Sequence, residues 1–437
     1  MKTPRQTAYE ILLKIEQNGA YSNIAIDSAI KTSGLDSTDS AFISRLCYGV
    51  IERKITLDYI IGKYLKQPIE KTKLQILTAL RLGAYQILFM DKIPDSAAVN
   101  ETVKNIKSTK FSYASNMVNA VLRKISTDGL SVDENLSEIE KMSIEYSVPS
   151  ETVKFFVYHY GEEITGLFLA ETLKPKRITI RVNNTKITAD ELTELLKSEG
   201  VKAEKTELPN AFNIDVKGAV YNLECYKKGL FHVEDLSSQY CVEALDVYEG
   251  CTCLDVCSAP GGKSFTVAEN MQNSGEVFSC DIYPQRTDLI KNGAERLGLT
   301  CIKPTVNNAE IFNESFPQFD RVLCDVPCSG LGIIGKKPEI KYKKLDDIKS
   351  LLPIQKNILE TSSKYVKKGG KLVYSTCSVN PNENRKICDA FLKEHTEFKS
   401  EKALPEIERT VDEGDYLTLF PHKNNCDGFF IAVFIRK

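Results

Sequence analysis

Two cysteines lie in short polar loops directly after strand-like apolar runs. Cys328 belongs to residues 327–330 (PCSG), and Cys377 belongs to residues 376–378 (TCS). A thiol is a good nucleophile at neutral pH, because a few per cent of it is thiolate even at an ordinary pKa of about 8.5. The carboxyl ends of adjacent parallel strands meet at one edge of a sheet. We therefore expect both thiols to face one cleft and to take part in nucleophilic chemistry.

A glycine-rich turn follows another strand-like run, at residues 254–264 (LDVCSAPGGKS). The run ends in Asp255, breaks at Pro260, Gly261 and Gly262, and leads into a helical pattern. Glycines let the backbone approach a ligand, and the next helix offers free N–H groups and the positive end of its dipole. This layout is typical of a nucleotide site at the first βα turn of a doubly wound sheet. The spacing matches neither a phosphate-cradling P-loop nor Gly-x-Gly-x-x-Gly.

By itself, the glycine-rich turn would equally suit an ordinary βα connection. A second acidic residue favours a ligand at this turn. Residues 275–281 have the pattern of a strand that ends in Asp281, 20 residues beyond Gly261. An acid at that place is suited to hold ribose hydroxyls, as in dinucleotide-binding folds. Together the two features predict a nucleoside-containing cofactor.

The charge of the chain is unevenly distributed. The 437 residues carry a net charge of −2, which argues nothing about nucleic acid. Residues 1–130, however, hold 18 Lys and Arg against 12 Asp and Glu, a net charge of +6 that leaves −8 for the remainder. Such an excess fits an ordinary solvated helical surface, and it also permits a module that faces RNA.

The cysteine count indicates the compartment. The chain has 13 Cys and 4 His, a polar and charged N-terminus, and no stretch approaching 18 apolar residues. These features predict a reducing, cytoplasmic location with free thiols and no membrane segment. Most of the other cysteines are expected to be small core residues. Paired CxxC modules are lacking and histidines are few, so no metal site is predicted.

Hydrophobic patterning divides the chain into three parts. Residues 1–130 show helical stripes, starting at a capping box formed by Thr3 and Gln6, and predict an all-α domain. Residues 140–236 predict a helical linker followed by a small α+β module, such as a ferredoxin-like fold. Residues 237–437 alternate strand and helix and predict a parallel, doubly wound, Rossmann-like sheet.

The predicted elements of the two later parts are specific enough to be compared with a structure. The linker is expected to contain helical segments at 151–158 and 162–173. The small module is expected to contain a strand at 177–182, a helix at 189–198 and a strand at 212–216. The predicted strands of the large sheet are 252–256, 276–281, 301–306, 320–325 and 371–375, and a last pair of apolar runs, which ends in residues 428–435, closes the sheet.

The helical front part resembles the NusB-like RNA-binding domain. The likeness lies in residues 4–15, 80–86 (LRLGAYQ) and 116–123 (NMVNAVLR). The apolar residues of these motifs are core stripes, so an RNA contact must rest on Arg and Lys side chains that the sequence does not single out.

Three further motifs, in this order, resemble the S-adenosylmethionine-dependent RNA cytosine-5 methyltransferases. They are residues 257–263 (CSAPGGK), 325–330 (DVPCSG) and 375–378 (STCS). With the NusB-like front domain, the chain resembles the bacterial Sun/Fmu type, which methylates one cytosine of 16S rRNA. The resemblance spans essentially the whole chain. It implies S-adenosyl-L-methionine as cofactor and 16S ribosomal RNA, or the small-subunit particle, as partner. We expect a monomer that needs no metal.

The resemblance also implies roles for individual residues. Cys377 would attack cytosine C6, Cys328 would assist breakdown of the covalent adduct, and Asp325 would bind the N3 and N4 edge of the base. Asp281 would hold the ribose, and Asn308 takes the adenine-side place where the family has Asp. The residues expected to bind the cofactor are Cys257, Ser258, Ala259, Pro260, Gly261, Gly262, Lys263, Asp281, Asn308 and Asp325.

Two departures from the family pattern concern the ligands. Asn308 keeps an acceptor oxygen for the adenine amine but lacks the charge of Asp, so weaker binding is expected. Arg385 follows Glu383 and Asn384 where the family usually has a second Glu. The substrate-side loop is therefore expected to differ.

Other hypotheses remain open on the sequence. Cytosine-5 DNA methyltransferases attack with the Pro-Cys thiol, which would make Cys328 the nucleophile, although the Thr376-Cys377 motif and the front domain argue against this. The target could instead be tRNA or another RNA site. The third alternative is a non-catalytic RNA-binding or assembly factor that keeps an inactive methyltransferase fold. Its only support is the change at Asn308.

Overall fold

The chain folds into two structural units. The computed structural model describes residues 2–18, 25, 26, 28–30 and 36–437. One unit comprises Met1–Leu173 and Lys336–Lys343, and the other comprises Lys174–Gly335 and Lys344–Lys437. In the described ranges, none of the helices is long and apolar enough to cross a membrane.

The first unit is built from α-helices around one apolar core. At its start Thr3 N–H donates to Gln6 Oε1 (3.0 Å) and Gln6 N–H donates to Thr3 Oγ1 (3.3 Å), which is the predicted capping box. The predicted stripes are buried, as Leu80 and Leu122 illustrate. The described helices are Pro4–Asn18, Ser37–Glu52, Lys54–Gly62, Leu74–Phe89, Asp95–Lys107, Ser115–Asp128, Glu138–Tyr146 and Ser150–Thr172. The prediction of an all-α front part is confirmed.

The last of these helices is interrupted where the sequence predicts a break. Gly161 has φ 76° and ψ 169°, which is not helical, so Ser150–Thr172 consists of two segments. The preceding helix begins after Ser137, whose side chain forms a capping box with Glu140. The acidic stretch after Asp128 is thus a connection without helix until that point.

The small module at the start of the second unit is a four-stranded antiparallel sheet with the strand order β2-β3-β1-β4. Its strands are β1 Ile178–Val182, β2 Lys202–Lys205, β3 Ala211–Asp215 and β4 Phe231–Val233, and its helices are Ala189–Ser198 and Glu224–Lys227. A βαββαβ chain with this order is ferredoxin-like, as predicted. The sequence pattern missed β2 and β4. The first is a polar edge strand, and the second has three residues.

The second sheet has eight strands and contains a parallel centre. Its order is β10-β12-β9-β8-β5-β6-β7, with β11 paired to β12. Strands β5 to β9 pair in parallel, whereas β12 runs antiparallel to β9. The strands are β5 Thr252–Asp255, β6 Glu276–Asp281, β7 Ile302–Val306, β8 Phe319–Asp325, β9 Val366–Thr376, β10 Phe398–Glu401, β11 Leu417–Leu419 and β12 Phe429–Arg436.

This sheet confirms the predicted Rossmann-like class. Apolar side chains from both of its faces are buried under helices, of which Leu236–Leu245, Gly262–Asn270, Pro284–Leu297, Leu351–Ser363 and Arg385–Glu394 are the longer ones. The carboxyl ends of β5, β6, β8 and β9 carry Asp255, Asp281, Asp325 and Thr376. Because these strands are parallel neighbours, the polar loops that follow them share one edge.

Candidate active site

The two loop cysteines meet at this edge of the sheet. Strands β8 and β9 are adjacent, and Asp325 pairs in register with Ser375. Each strand leads directly into its cysteine loop, and the Sγ atoms of Cys328 and Cys377 lie 3.1 Å apart. Both side chains are half-buried and both are free thiols. The structure therefore brings together the two loop thiols, which lie 49 residues apart in the sequence.

The surroundings of Cys328 favour its protonated form. The hydrogen bond with Cys377 and burial raise the pKa of Cys328 well above its usual range. A thiol with a raised pKa keeps its proton at neutral pH and can donate it to a neighbouring sulfur. Cys328 therefore holds its proton at neutral pH.

Asp325 is oriented from two sides. Lys263 Nζ donates to its Oδ2 (2.8 Å) and Ser375 Oγ donates to its Oδ1 (2.8 Å). Burial disfavours the Lys263 ammonium, but Asp325, with smaller contributions from Cys241 and Glu234, raises the pKa of the lysine in spite of it. The pair joins the helix after the glycine-rich turn to the end of β8, beside the cysteines.

The glycine-rich turn adopts a conformation that requires its glycines. Gly261 has φ 116°, and a Cβ there would lie 2.4 Å from the ring of Phe265. A Cβ on Gly262 would lie 3.1 Å from Glu234 Oε1. Gly261 N–H donates to Ser258 O (2.8 Å), which closes the turn just before the helix Gly262–Asn270. Both positions therefore favour the residue without a side chain.

A buried hydroxyl network anchors the same turn to the sheet. Ser264 Oγ donates to Asp255 Oδ2 (2.7 Å) and lies 2.8 Å from the hydroxyls of Ser258 and Ser279. Burial raises the pKa of Asp255 to about 7, although Ser264 and Lys263 oppose the shift. Asp255 therefore has a structural role, because it holds the turn against the end of β5 through Ser264.

The remaining turn residues lie where the sequence predicts them, between β5 and its helix. Ala259 and Pro260 are joined by a cis peptide bond, and Pro260 is exposed. Cys257 is half-buried, and burial raises the pKa of its thiol well above the usual range. This thiol therefore stays protonated at neutral pH.

The buried acid at the end of β6 is connected to the turn by an arginine that the sequence pattern did not single out. Arg286 Nη1 lies 3.2 Å from Asp281 Oδ2, and its Nη2 donates to Ala259 O (2.8 Å). Asp281 is only 2% exposed. A helix that starts at Pro284 carries Arg286, so an Arg five residues after the acid was the available signal.

Asn308 follows β7 and is partly committed to its own turn. Its Oδ1 accepts from the backbone N–H of Glu310 (3.0 Å), and its carbonyl accepts from Ile311 N–H (3.0 Å). The preceding Asn307 N–H donates to Asp281 O (3.0 Å), which places this turn next to the end of β6. An amide oxygen has two lone pairs, so Asn308 retains one acceptor position.

The loop after Cys377 contains the departure at position 385. Arg385 begins the helix Arg385–Glu394, and its Nε lies 3.4 Å from Asp389 one turn on, at the surface. Glu383 and Asn384, in contrast, are buried. Asn384 accepts from Thr376 Oγ1 (2.6 Å) and donates to Ser378 O (2.8 Å), so it fixes the backbone around Cys377.

The comparisons with known proteins cover the same ranges. Family models match residues 242–435 (16S rRNA methyltransferase RsmB/F), 2–127 (NusB family) and 149–221 (Methyltr_RsmF/B-like, ferredoxin-like domain). The "Probable ribosomal RNA small subunit methyltransferase B" of Bacillus subtilis (strain 168) is 38% identical over 441 residues, which cover 99% of this chain and 98% of the relative. The chain belongs to the 16S rRNA methyltransferase RsmB/F family. The predicted resemblance is confirmed at the level of the family.

Solved structures of similar fold exist. The crystal structure of PH0851 aligns with a TM-score of 0.82 and 25% identity, over 99% of both chains. NSun6 from Pyrococcus horikoshii, crystallised with SFG, aligns with a TM-score of 0.61 and 20% identity over 66% of this chain and 98% of that chain. The second likeness shows the shared fold.

The region that matches the NusB family uses two of its motif arginines internally. Arg81 is 5% exposed and donates to Asp58 Oδ1 and Oδ2 (2.6 and 2.7 Å). Arg5 Nε donates to Gln86 Oε1 (2.6 Å). Arg123 is exposed and contacts Asn119 on its own helix. Of these three motif arginines, Arg123 is the one at the surface.

A buried ionic cluster lies behind the glycine-rich turn in this RsmB/F family member. His232 Nδ1 lies 3.3 Å from Glu269 Oε1, and His232 Nε2 lies 3.5 Å from Glu234 Oε2. Arg181 Nε lies 3.8 Å from Glu269 Oε2. Burial disfavours the imidazolium, but Glu269 and Glu234 raise the pKa of His232 to about 9. The cluster connects β1 and β4 of the small sheet to the helix Gly262–Asn270.

Within the described ranges, no group of three or more His, Cys, Asp or Glu side chains could hold a metal ion.

Proposed function

We propose that the protein transfers a methyl group from S-adenosyl-L-methionine to C5 of a specific cytosine in 16S rRNA, through a covalent bond between Cys377 and cytosine C6. The observation that carries the proposal is the pair of thiols 3.1 Å apart at the ends of adjacent parallel strands. Membership of the RsmB/F family supports an rRNA substrate.

The residues at the sheet edge fit the cofactor. The turn at Gly261 and Gly262 leaves the start of a helix without side chains, and Asp281 supplies a buried carboxylate next to it. The related NSun6 structure contains SFG, an analogue of S-adenosyl-L-methionine. When bound, S-adenosyl-L-methionine supplies an electrophilic methyl group. We propose that the turn residues 257–263 hold its methionine part, Asp281 its ribose and Asn308 its adenine.

The two cysteines would act in sequence. The Cys377 thiolate adds to cytosine C6, which makes C5 nucleophilic enough to accept a methyl group. The hydrogen bond with Cys377 and burial raise the pKa of Cys328, which favours its protonated form before the attack. After Cys377 has bonded to carbon, Cys328 releases its own proton to water, and the thiolate that forms removes the proton that C5 must lose. The Cys377–C6 bond then breaks and the ring regains its aromaticity.

Asp325 would hold the amino and N3 edge of the cytosine. Its carboxylate is already fixed by Lys263 and Ser375, so it reaches the base without reorganisation. The target base must leave its stack to reach these groups, which favours single-stranded or loop RNA.

We also propose a division of labour among residues 1–130, 140–236 and 237–437. The first part carries a net charge of +6 and would bind the RNA backbone, whereas the last part performs the chemistry.

The test uses 16S rRNA and labelled S-adenosyl-L-methionine with wild type, Cys377→Ala, Cys328→Ala and Cys225→Ala as a matched control away from the sheet edge. We expect transfer by wild type and Cys225→Ala, no transfer by Cys377→Ala, and a trapped protein–RNA adduct with Cys328→Ala. A trapped adduct with Cys377→Ala would instead assign the attack to Cys328, as in the DNA-type chemistry. No transfer by wild type on this RNA would favour another RNA target or an RNA-binding role without catalysis.

A further inference from the structure

Glu383 places a buried carboxylate between the two cysteine loops. Its side chain is 0% exposed. Oε1 accepts from Ser329 N–H (2.7 Å), and Oε2 accepts from the hydroxyls of Ser329 (2.6 Å) and Ser378 (2.8 Å). Ser329 follows Cys328 and Ser378 follows Cys377, so one carboxylate binds the residue next to each thiol.

Two side-chain amides complete the coordination of this carboxylate. Asn380 Nδ2 donates to Oε2 (3.0 Å), and Gln355 Nε2 donates to Oε1 (3.0 Å). The same Gln355 amide donates to the carbonyl of Pro327 (3.0 Å), which precedes Cys328. Both sides of Cys328 are thereby connected to Glu383.

The carboxylate is satisfied by these donors, which are uncharged groups. Among the described residues, no Lys, Arg or His forms an ion pair with Glu383. A buried carboxylate is costly unless several hydrogen bonds compensate for its lost hydration. Here the compensating donors belong to Ser329 and Ser378 in the cysteine loops and to the side-chain amides of Gln355 and Asn380. The charge can therefore remain buried only while both loops keep their present conformation.

We propose that Glu383 is a positioning residue of the methyl transfer, which fixes the distance and orientation of Cys328 relative to Cys377 and so controls release of the covalent adduct. This inference rests on the roles proposed above for the two cysteines. In this role Glu383 does not react with either thiol. It acts through its hydrogen bonds to Ser329 and Ser378.

The substitution Glu383→Gln tests this idea with little change in volume. The new amide presents N–H groups where the carboxylate accepted, and the backbone N–H of Ser329 cannot turn into an acceptor. At least one loop must therefore move. A displacement of about 1 Å at a reacting group lowers a rate by about 100-fold. Formation of the adduct needs only Cys377, so its release through Cys328 should suffer more than its formation.

The experiment measures turnover and adduct on the full chain with 16S rRNA and labelled S-adenosyl-L-methionine. We expect Glu383→Gln to lower turnover by about 100-fold and to leave a covalent protein–RNA band on a denaturing gel. The matched control is Glu413→Gln, because Glu413 bonds Thr418 and contacts neither cysteine loop. Turnover by Glu383→Gln within about twofold of the control, with no adduct, would overturn the inference.

A second readout needs no RNA. Glu383 contributes to the raised pKa of Cys328, so its neutralisation should shift alkylation of Cys328 by iodoacetamide to lower pH, measured by mass spectrometry in a Cys377→Ser background. An unchanged alkylation profile would contradict the inference. If Glu383→Gln does not fold, Ser378→Ala replaces it, and a loss of turnover with trapped adduct is again expected. Wild type, Cys328→Ala and Cys377→Ala run in parallel, so a failure of the proposed cysteine roles is recognised separately.

Discussion

The buried pair of His232 and Glu269 should make folding stability depend on pH. His232 is 3% exposed and Glu269 is 0% exposed, and the helix that follows the glycine-rich turn carries Glu269. The pair links this helix to β4 of the small sheet. We therefore consider wild type and the charge-balanced double variant His232→Gln/Glu269→Gln across a range of pH.

The magnitude follows from the shift in the pKa of His232. The neighbouring glutamates raise it from 6.5 to about 9, so folding takes up a proton between these values. The shift corresponds to about 3 kcal/mol. The stabilisation is fully present below about pH 6.5 and is lost as the pH rises through about 9. Burial also raises the pKa of Glu269, so the protonation of this carboxyl likewise makes the folded state less stable as the pH rises.

The assay is urea unfolding followed by far-UV circular dichroism, since the chain has no Trp. The difference in unfolding free energy between wild type and the double variant should fall by about 3 kcal/mol between about pH 6 and pH 9.5. His395→Gln is the control, because His395 pairs with Glu397 near the surface, where such a pair contributes at most about 1 kcal/mol. A difference between wild type and double variant that stays constant over this range would refute the reasoning.

Two further predictions concern the sheet edge. Gly332→Ala would place its Cβ 1.8 Å from Gly428 O and 2.9 Å from Cys377 O, so we expect a loss of about 1–3 kcal/mol in thermal unfolding together with slower methyl transfer. The control is Gly166→Ala, where the new Cβ would lie 3.6 Å from its nearest neighbour, so its melting temperature should equal or slightly exceed that of wild type. Equal melting temperatures for Gly332→Ala and Gly166→Ala would contradict the predicted clash. Lys263→Met removes one of the two donors that orient Asp325 and should lower kcat/KM by about 10- to 100-fold, whereas Lys263→Arg keeps the charge and should lose less. Identical kcat/KM values for Met and Arg at this position would show that the ion pair is irrelevant to catalysis.

The sequence by itself determined the class of the fold and the members of the candidate site. Strands β5, β6 and β8 have largely buried runs that end in Asp255, Asp281 and Asp325, a local pattern that needs no knowledge of distant residues. The positions of Cys328 and Cys377 followed, because parallel strands present their carboxyl ends at one edge. The strands β2, β4 and β10 were missed, since they have three or four residues each and edge strands carry polar side chains that break the alternation.

Only the tertiary structure decided which polar residues support the site. Glu383 reaches Ser329 across 54 positions in the chain, and His232 pairs with Glu269, which lies on a helix 37 positions further along (269 − 232). It also placed Arg81 in a buried ion pair and left Arg123 at the surface. A hydrogen bond between residues far apart in sequence leaves no periodic trace, because it depends on where the chain returns after several strands and helices. Local patterns thus indicate which elements form and where they end, whereas the partners of a buried charge are set by the packing of the whole domain.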